Sequence, residues 1–217
     1  MNDDIKIFDN IIPKGYQDAL EELTTDELFD WGYANDVVWD QSSLRKGRSL
    51  KQINDGFGHM LCVPKHESNH WPFIKPLIYH INEALGEDAK HIFRVRVNLL
   101  LRAYPEDMPW NNEHVDSTTP HYTGIYYVND TDGPTYIFDQ KVTDIQHKNW
   151  TQDVILNYIN NTEFTVAQAV EPKKGRLVVF NGQRFHASSK PRDNQNRIVI
   201  AFNWQTEKHL RQHGTTI

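Results

Sequence analysis

The hydrophobic rhythm of the chain changes near Ile92. Before that point apolar residues recur at helical spacing; after it they fall into short runs separated by turn residues. Ile5–Ile12 reads as a first strand. Pro13 then suits a first helical turn, where a missing N–H costs nothing, and Tyr16, Ala19, Leu20 and Leu23 share one helical face. A second helix is predicted over Trp71–Leu85, with Ser68 or Asn69 as its cap. Ile74, Leu77, Ile78, Ile81 and Leu85 form its apolar stripe, and Gly86 ends it. Pro76 removes a backbone donor inside that span, so the regular part should begin late. Asn35–Ser49 reads as irregular or strand-like.

Strands are predicted at Ile92–Tyr104, Tyr122–Asn129, Thr135–Asp139, Glu163–Val170, Arg176–Phe180 and Arg197–Trp204. Turn signals separate them at Asn129–Pro134, Pro172–Gly175 and Pro191–Asn194. Lys141–Asn161 interrupts the series, and Val154, Ile155, Tyr158 and Ile159 mark a short helix within it. Helices first and many short strands afterwards predict a mainly β fold, a sandwich or barrel supported by N-terminal helices. No repeat is present, and the length fits one domain over 1–217, with helical support to about residue 91 and a β core over about 92–205.

Composition narrows the class. The 23 basic and 29 acidic residues leave a charge of −6, which weighs against a dedicated nucleic-acid binder. The single cysteine, Cys62, excludes a disulfide scaffold and a multi-cysteine zinc site. The start, Met1-Asn2-Asp3-Asp4, lacks the basic and apolar regions of a secretory signal. The longest apolar runs, such as Ile198–Phe202, are strand-length, so no membrane span is expected. A reducing cytoplasm is the simplest location, and the glycosylation-type triplets at Asn129, Asn149 and Asn160 read as chance. The 11 histidines bring metal chemistry into consideration.

The informative stretch is Asn112-Glu113-His114-Val115-Asp116. In an extended segment residues two apart share a face, so His114 and Asp116 can aim at one point. His186 follows in Phe185-His186-Ala187, just past the strand ending at Phe180. Two histidines and a carboxylate on one side of a metal leave the other side open, as in non-haem Fe(II) oxygenases. An isolated H-x-D has a plain alternative: a hydrogen-bonded loop histidine followed by a turn aspartate. Arg197 opens the apolar strand Ile198–Phe202, and its fork suits a carboxylate. Tyr127 lies in a β run, and Tyr104 ends the strand before H-x-D.

The order Tyr104-Pro105, H-x-D, Ile125–Asn129, Asp132–Thr135, Gly175–Phe180, His186 and Arg197 resembles the prolyl 4-hydroxylase-like branch of the Fe(II)/2-oxoglutarate-dependent oxygenases, in particular its compact bacterial and phage members. The likeness covers roughly Arg94 to Trp204. It implies a double-stranded β-helix, or jelly roll. It implies Fe(II) held by His114, Asp116 and His186, with 2-oxoglutarate and O2 as cosubstrates. Arg197 would pair with the distal carboxylate of 2-oxoglutarate, Tyr127 would support it, and Tyr104 would lie near the cosubstrate's other end. The role of Thr135, at a position often apolar in relatives, is open. The implied activity is hydroxylation of a protein or peptide side chain with release of succinate and CO2.

The same reading sets a register. Asn98, Leu100, Arg102 and Tyr104 share one face of their strand, while Val97, Leu99, Leu101 and Ala103 share the other. The apolar set is expected under the helices and the mixed set toward the pocket, with Tyr104 pointing in and Arg102 at the wall. Pro105–Asn112 is expected to form a lip carrying Trp110 toward the substrate, with Lys141–Asn161 opposite. Alternatives are oxidation of a small molecule or nucleobase, a silent jelly-roll binding module, and a zinc hydrolase, which the absent H-E-x-x-H pattern disfavours.

Overall fold

The computed structural model describes residues 4–34, 55–103, 110–146 and 149–212. Strand β1 (Ile5–Asp9) leads to helix α1 (Lys14–Thr25), then β2 (Gly32–Ala34), β3 (Gly56–Val63) and β4 (His66–Glu67). The second predicted helix forms as two pieces, α2 (Trp71–Ile74) and α3 (Leu77–Leu85), divided at Pro76. Gly86 closes α3 with φ +68°, a left-handed conformation that glycine adopts without steric cost. The β region follows: β5 (His91–Leu101), β6 (Tyr122–Tyr127), β7 (Thr135–Lys141), β8 (Val166–Val170), β9 (Arg176–Asn181), β10 (Arg184–Ser188) and β11 (Asn196–Gln205). Helix α4 (Gln152–Asn160) lies between β7 and β8, and α5 (Glu207–Gln212) follows β11.

Eight strands make one sheet, in the order β1-β9-β6-β11-β5-β3-β2 with β4 beside β3. The other three form a second sheet, β10-β7-β8, and every pairing is antiparallel. This is the jelly-roll architecture that the family resemblance implied, and it fits the sandwich or barrel predicted from the strand pattern.

Period-two alternation sorts side chains between layers. On β11, Ile198, Ile200, Phe202 and Trp204 pack in the cluster that includes Leu20 of α1 and Leu77 and Ile81 of α3. Val199 and Ala201 point the other way, into a cluster with Tyr127, Ile137 and Phe180. β5 divides in the expected register: Val95, Val97 and Leu99 pack with the helix cluster, while Asn98 and Leu100 line a cavity between the sheets. Phe138, Phe185 and Ala187 of the small sheet meet Ile155 and Ile159 of α4 in a third cluster. The helices therefore brace one side of the large sheet and leave its other side to face a site.

Several elements were not predicted. Gly56–Val63 carries two glycines, which weaken a strand signal, yet it pairs with β5 from Phe57 to Cys62, with a register shift between Met60 and Cys62. Arg184–Ser188 reads as polar after a turn, but it is a separate strand, and His186 sits within it. The stretch 35–49 lies outside the described residues.

Candidate active site

The site starts from a backbone contact between distant segments. His114 and His186 form an isolated antiparallel bridge, with His114 N donating to His186 O at 3.0 Å and His186 N donating to His114 O at 2.9 Å. The bridge brings the rings to 4.3 Å between centroids. His186 comes from β10, which shows a register shift between Arg184 and His186. Such bulges re-aim side chains next to functional sites.

Each ring is oriented in the same way. His114 Nδ1 lies 3.1 Å from Asn112 O, and His186 Nδ1 lies 3.3 Å from Arg184 O, in both cases the carbonyl two residues earlier. That contact assigns the proton to Nδ1 and leaves Nε2 as the bare nitrogen. His114 Nε2 is 3.8 Å from Asp116 Oδ1, and His186 Nε2 is 3.7 Å from Asp116 Oδ2. The three ligand atoms lie within 4.8 Å of one another, and no other such trio of His, Cys, Asp or Glu occurs among the described residues.

Asp116 is buried, with its side chain 7% exposed. Burial alone raises a carboxyl's pKa, but Arg94, the two histidines and a hydrogen bond from Asn203 Nδ2 at 2.8 Å outweigh it and hold Asp116 well below the ordinary range. Arg94 Nη2 contacts Asp116 Oδ1, while Arg94 Nε donates to Asn203 Oδ1 at 2.9 Å. Burial, then the neighbouring His186, push His114 down to about 3, and burial lowers His186 as well. Neutral imidazoles beside an ionised carboxylate are the protonation states that a divalent cation requires. Two nitrogen donors and one oxygen donor converging from one side therefore fit a facial-triad metal.

That triad opens on a cavity of about 80 Å³ between the sheets. Arg94, Arg96, Asn98 and Leu100 of β5 line it, with Thr135 from β7, Ser188 from β10, and Arg197, Val199 and Ala201 from β11. Arg197 is 2% exposed. Its Nε donates to Gly133 O at 2.7 Å and its Nη2 to Thr135 Oγ1 at 2.7 Å. No described carboxylate lies within ion-pair distance of it. Burial pulls its pKa down, partly offset by Tyr127. A buried guanidinium with no acid partner among the described residues is suited to an anion from outside.

Tyr127 is fully buried behind this arginine and does not line the cavity. Its hydroxyl donates to Thr135 Oγ1 at 2.7 Å, and Arg197 Cζ lies 5.5 Å from its ring centroid. Burial raises its pKa. Thr135, left open by the sequence, is thus the shared acceptor of Arg197 and Tyr127. With both lone pairs taken, its own proton remains for the cavity.

The substrate-face residues fall elsewhere. Arg102 lies past the end of β5, exposed, and does not line the cavity, because pairing with β11 stops at Leu101 and the alternation stops with it. Trp110 packs on Tyr136 and Phe138, with ring centroids 5.0 and 5.3 Å away, and its Nε1 donates to Glu113 Oε1 at 2.8 Å. It joins the α4 cluster rather than the cavity wall. Tyr104 and most of the expected lip, 104–109, lie outside the described residues. Asn203 was not singled out by the sequence; its place on the inward face of β11, in step with Arg197, Val199 and Ala201, was the available signal.

Known proteins give this arrangement its class: residues 108–203 match the family model described as "Putative 2OG-Fe(II) oxygenase". That stretch is a little under half of the chain and holds the His114–Asp116–His186 trio; match and trio indicate an enzyme of the dioxygenase class whose cofactors are Fe(II), 2-oxoglutarate and O2. The fold agrees. A 2OG-Fe(II) oxygenase family oxidoreductase from Burkholderia pseudomallei superposes with TM-score 0.58 at 12% identity, over 94% of this chain and 86% of that one. A Trichoplax adhaerens prolyl hydroxylase, solved with a hypoxia inducible factor oxygen degradation domain peptide fragment, gives 0.55 at 14% identity over 99% and 89%. The non-heme alpha ketoglutarate dependent epimerase SnoN from nogalamycin biosynthesis gives 0.55 at 9% identity over 93% and 79%. No curated protein sequence matches the chain significantly. No described helix is long and apolar enough to cross a membrane.

Proposed function

We propose that His114, Asp116 and His186 hold the Fe(II), and that Arg197, with Thr135 beside it and Tyr127 behind it, receives the distal carboxylate of 2-oxoglutarate. The observation that carries this reading is a buried arginine, free of any described acid partner, in the same cavity as a converging His–Asp–His trio. The bound iron would supply activation of O2, with 2-oxoglutarate as the source of the other two electrons. In balance, one substrate C–H, one O2 and one 2-oxoglutarate become one C–OH, one succinate and one CO2.

The protein's share is positioning. The Nδ1 contacts to Asn112 O and Arg184 O fix which ring nitrogens face the metal. Arg94 and Asn203 hold the Asp116 carboxylate ionised and aimed. Leu100, Val199 and Ala201 give the cavity apolar walls that limit water near the reacting centre.

The substrate we favour is a protein or peptide side chain, supported by the resemblance to prolyl hydroxylases and by a fold shared with one. A small-molecule substrate is the second reading. The small cavity favours it, and the fold also houses an epimerase from a biosynthetic pathway.

Anaerobic titration with Fe(II) and then 2-oxoglutarate tests the site. A weak visible metal-to-ligand charge-transfer band is expected, and it should be absent when His114, Asp116 or His186 is alanine. A band of full strength in those variants would remove the assignment.

A further inference from the structure

The hydrogen bonds behind Asp116 do not end at Asn203. Thr123, Asn203 and Arg94 occupy one cross-strand rung on the neighbouring strands β6, β11 and β5. Asn203 and Thr123 are fully buried, and Asn203 Nδ2 lies 3.1 Å from Thr123 Oγ1 as well as 2.8 Å from Asp116 Oδ2. Thr123 Oγ1 in turn lies 3.3 Å from Nε2 of His121, another fully buried side chain. His121 Nδ1 meets Thr119 O at 2.7 Å. A buried path of hydrogen bonds therefore runs from His121 through Thr123 and Asn203 to the carboxylate of the trio.

Donor and acceptor roles are consistent at every step of this path. A carbonyl only accepts, so the Thr119 contact places the His121 proton on Nδ1 and leaves Nε2 as an acceptor. The Thr123 hydroxyl then donates its one proton to Nε2, and its oxygen accepts from Asn203. Arginine only donates, so the bond from Arg94 Nε at 2.9 Å fixes Asn203 Oδ1 on that side. Both Nδ2 hydrogens then face the other way, one for Thr123 and one for Asp116. Burial, the largest influence on His121, holds its pKa below the ordinary value and keeps the ring in the neutral form this order needs. The ring is also held in place. Phe93 of β5 packs edge-on with ring centroids 5.2 Å apart, and a Cβ on Gly182, in the turn between β9 and β10, would come within 2.1 Å of Nε2. An apolar ring would fill the same space; the histidine adds an acceptor aimed at Thr123.

We propose that His121 and Thr123 are positioning residues of the metal centre, which hold the Asn203 amide so that Asp116 keeps a single orientation toward the metal. This deepens the reading of His114, Asp116 and His186 as the Fe(II) ligands and rests on it. With both Nδ2 hydrogens engaged, the amide has one orientation. Without the Thr123 acceptor it keeps only its bond to Asp116 on that side and is free to turn with the carboxylate.

The test is an anaerobic titration of the full chain with Fe(II) in competition with a chelator, with thermal unfolding measured alongside. Thr123→Val keeps the shape and removes the hydroxyl. It should weaken Fe(II) binding by about tenfold, the lower end of the range for contacts behind a metal ligand. Thr123→Ser keeps the hydroxyl and should bind Fe(II) as the wild type does. His121→Phe keeps a ring and removes the acceptor, so it should weaken binding in the same direction; it is the independent arm if Thr123→Val fails to fold. The decisive arm adds Thr123→Val to Asn203→Ala. The effect passes through Asn203, so the second substitution should weaken binding no further, whereas independent contributions would add. Wild-type Fe(II) affinity in Thr123→Val or His121→Phe, a Thr123→Ser protein as weak as Thr123→Val, or additive losses in the double variant would each overturn the proposal. Fe(II) binding that survives unchanged in His186→Ala is a different outcome: the reading of the trio itself then fails, and this inference falls with it.

Discussion

Tyr127 reaches Arg197 through Thr135: its hydroxyl donates at 2.7 Å to the same Oγ1 that accepts from the guanidinium at 2.7 Å. The three groups form a relay in which only Thr135 and Arg197 border the cavity. Thr135→Val keeps the shape but removes the shared acceptor of two buried donors, leaving the Tyr127 hydroxyl only a 3.5 Å contact to Val170 O. We expect it to raise the 2-oxoglutarate concentration needed for half-formation of the charge-transfer band by roughly tenfold. Tyr127→Phe removes one donor and keeps the acceptor, so its effect should be smaller. Equal effects would mean that Tyr127 touches the cosubstrate directly.

Arg197 itself should matter more. A charge-assisted contact to a carboxylate contributes about 1.5–3 kcal/mol, so Arg197→Ala should weaken 2-oxoglutarate binding by roughly ten- to hundredfold. Iron content after dialysis should stay at the wild-type level, because the guanidinium touches none of the three proposed ligands. Unchanged cosubstrate affinity in Arg197→Ala would sink the assignment of this strand.

Asn203 offers a graded test of the metal site. It donates to Asp116 Oδ2 and accepts from Arg94, so it positions the carboxylate without being a proposed ligand. Loss of such an outer contact typically costs about 10- to 100-fold in metal affinity. Asn203→Ala should therefore retain a measurable but weakened Fe(II) site, whereas His186→Ala should retain none. Competitive titration against a chelator separates the two. An Asn203→Ala protein with wild-type affinity would show that Arg94 alone positions Asp116.

What could be read in advance follows from what alternation and spacing encode. The face of β5 was legible because Val97 and Leu99 contrast with Asn98 and Arg102 in the alternating set, and a one-residue slip would bury Arg102 among apolar side chains. The split of the second helix was legible because proline removes a backbone donor. The His114–His186 bridge was not, since it joins segments through backbone atoms that every residue carries alike. Strand β10 was hidden by its polar composition: Arg184 is buried at 3% exposure because Asp4 and the carbonyl of Phe138 receive it, partners far away in sequence. Trp110 and Arg102 were assigned to the pocket by proximity in sequence to H-x-D and by extrapolated alternation. The first is captured by an aromatic cluster, and the second lies beyond the pairing that maintains the alternation.

Asp132 links pH to the cosubstrate end of the site. Its carboxylate accepts backbone N–H bonds from Arg192 at 2.8 Å, Asp193 at 3.0 Å and Asn194 at 3.0 Å, tying the turn before β7 to the segment before β11. The next residue, Gly133, offers its carbonyl to Arg197 in a space so tight that a Cβ would lie 2.6 Å from Ser189 O. Burial pulls the Asp132 pKa up, but the three N–H bonds outweigh it and hold the group below its ordinary value. A carboxyl lowered on folding stabilises fully above its unfolded pKa of about 3.9, and that contribution is lost as pH falls through the lower folded value. Asp132→Asn, which turns an ionised acceptor into a neutral one, should therefore be less stable than wild type at pH 7. The gap should begin to narrow in thermal unfolding as pH falls below about 4 and close as pH falls through the lower folded value, where the wild-type group becomes neutral. At neutral pH the variant should also need more 2-oxoglutarate, because a loosened turn no longer fixes Gly133 O against Arg197. A stability gap that stays constant from pH 7 into the acid range would show that the side chain acts by shape rather than by charge.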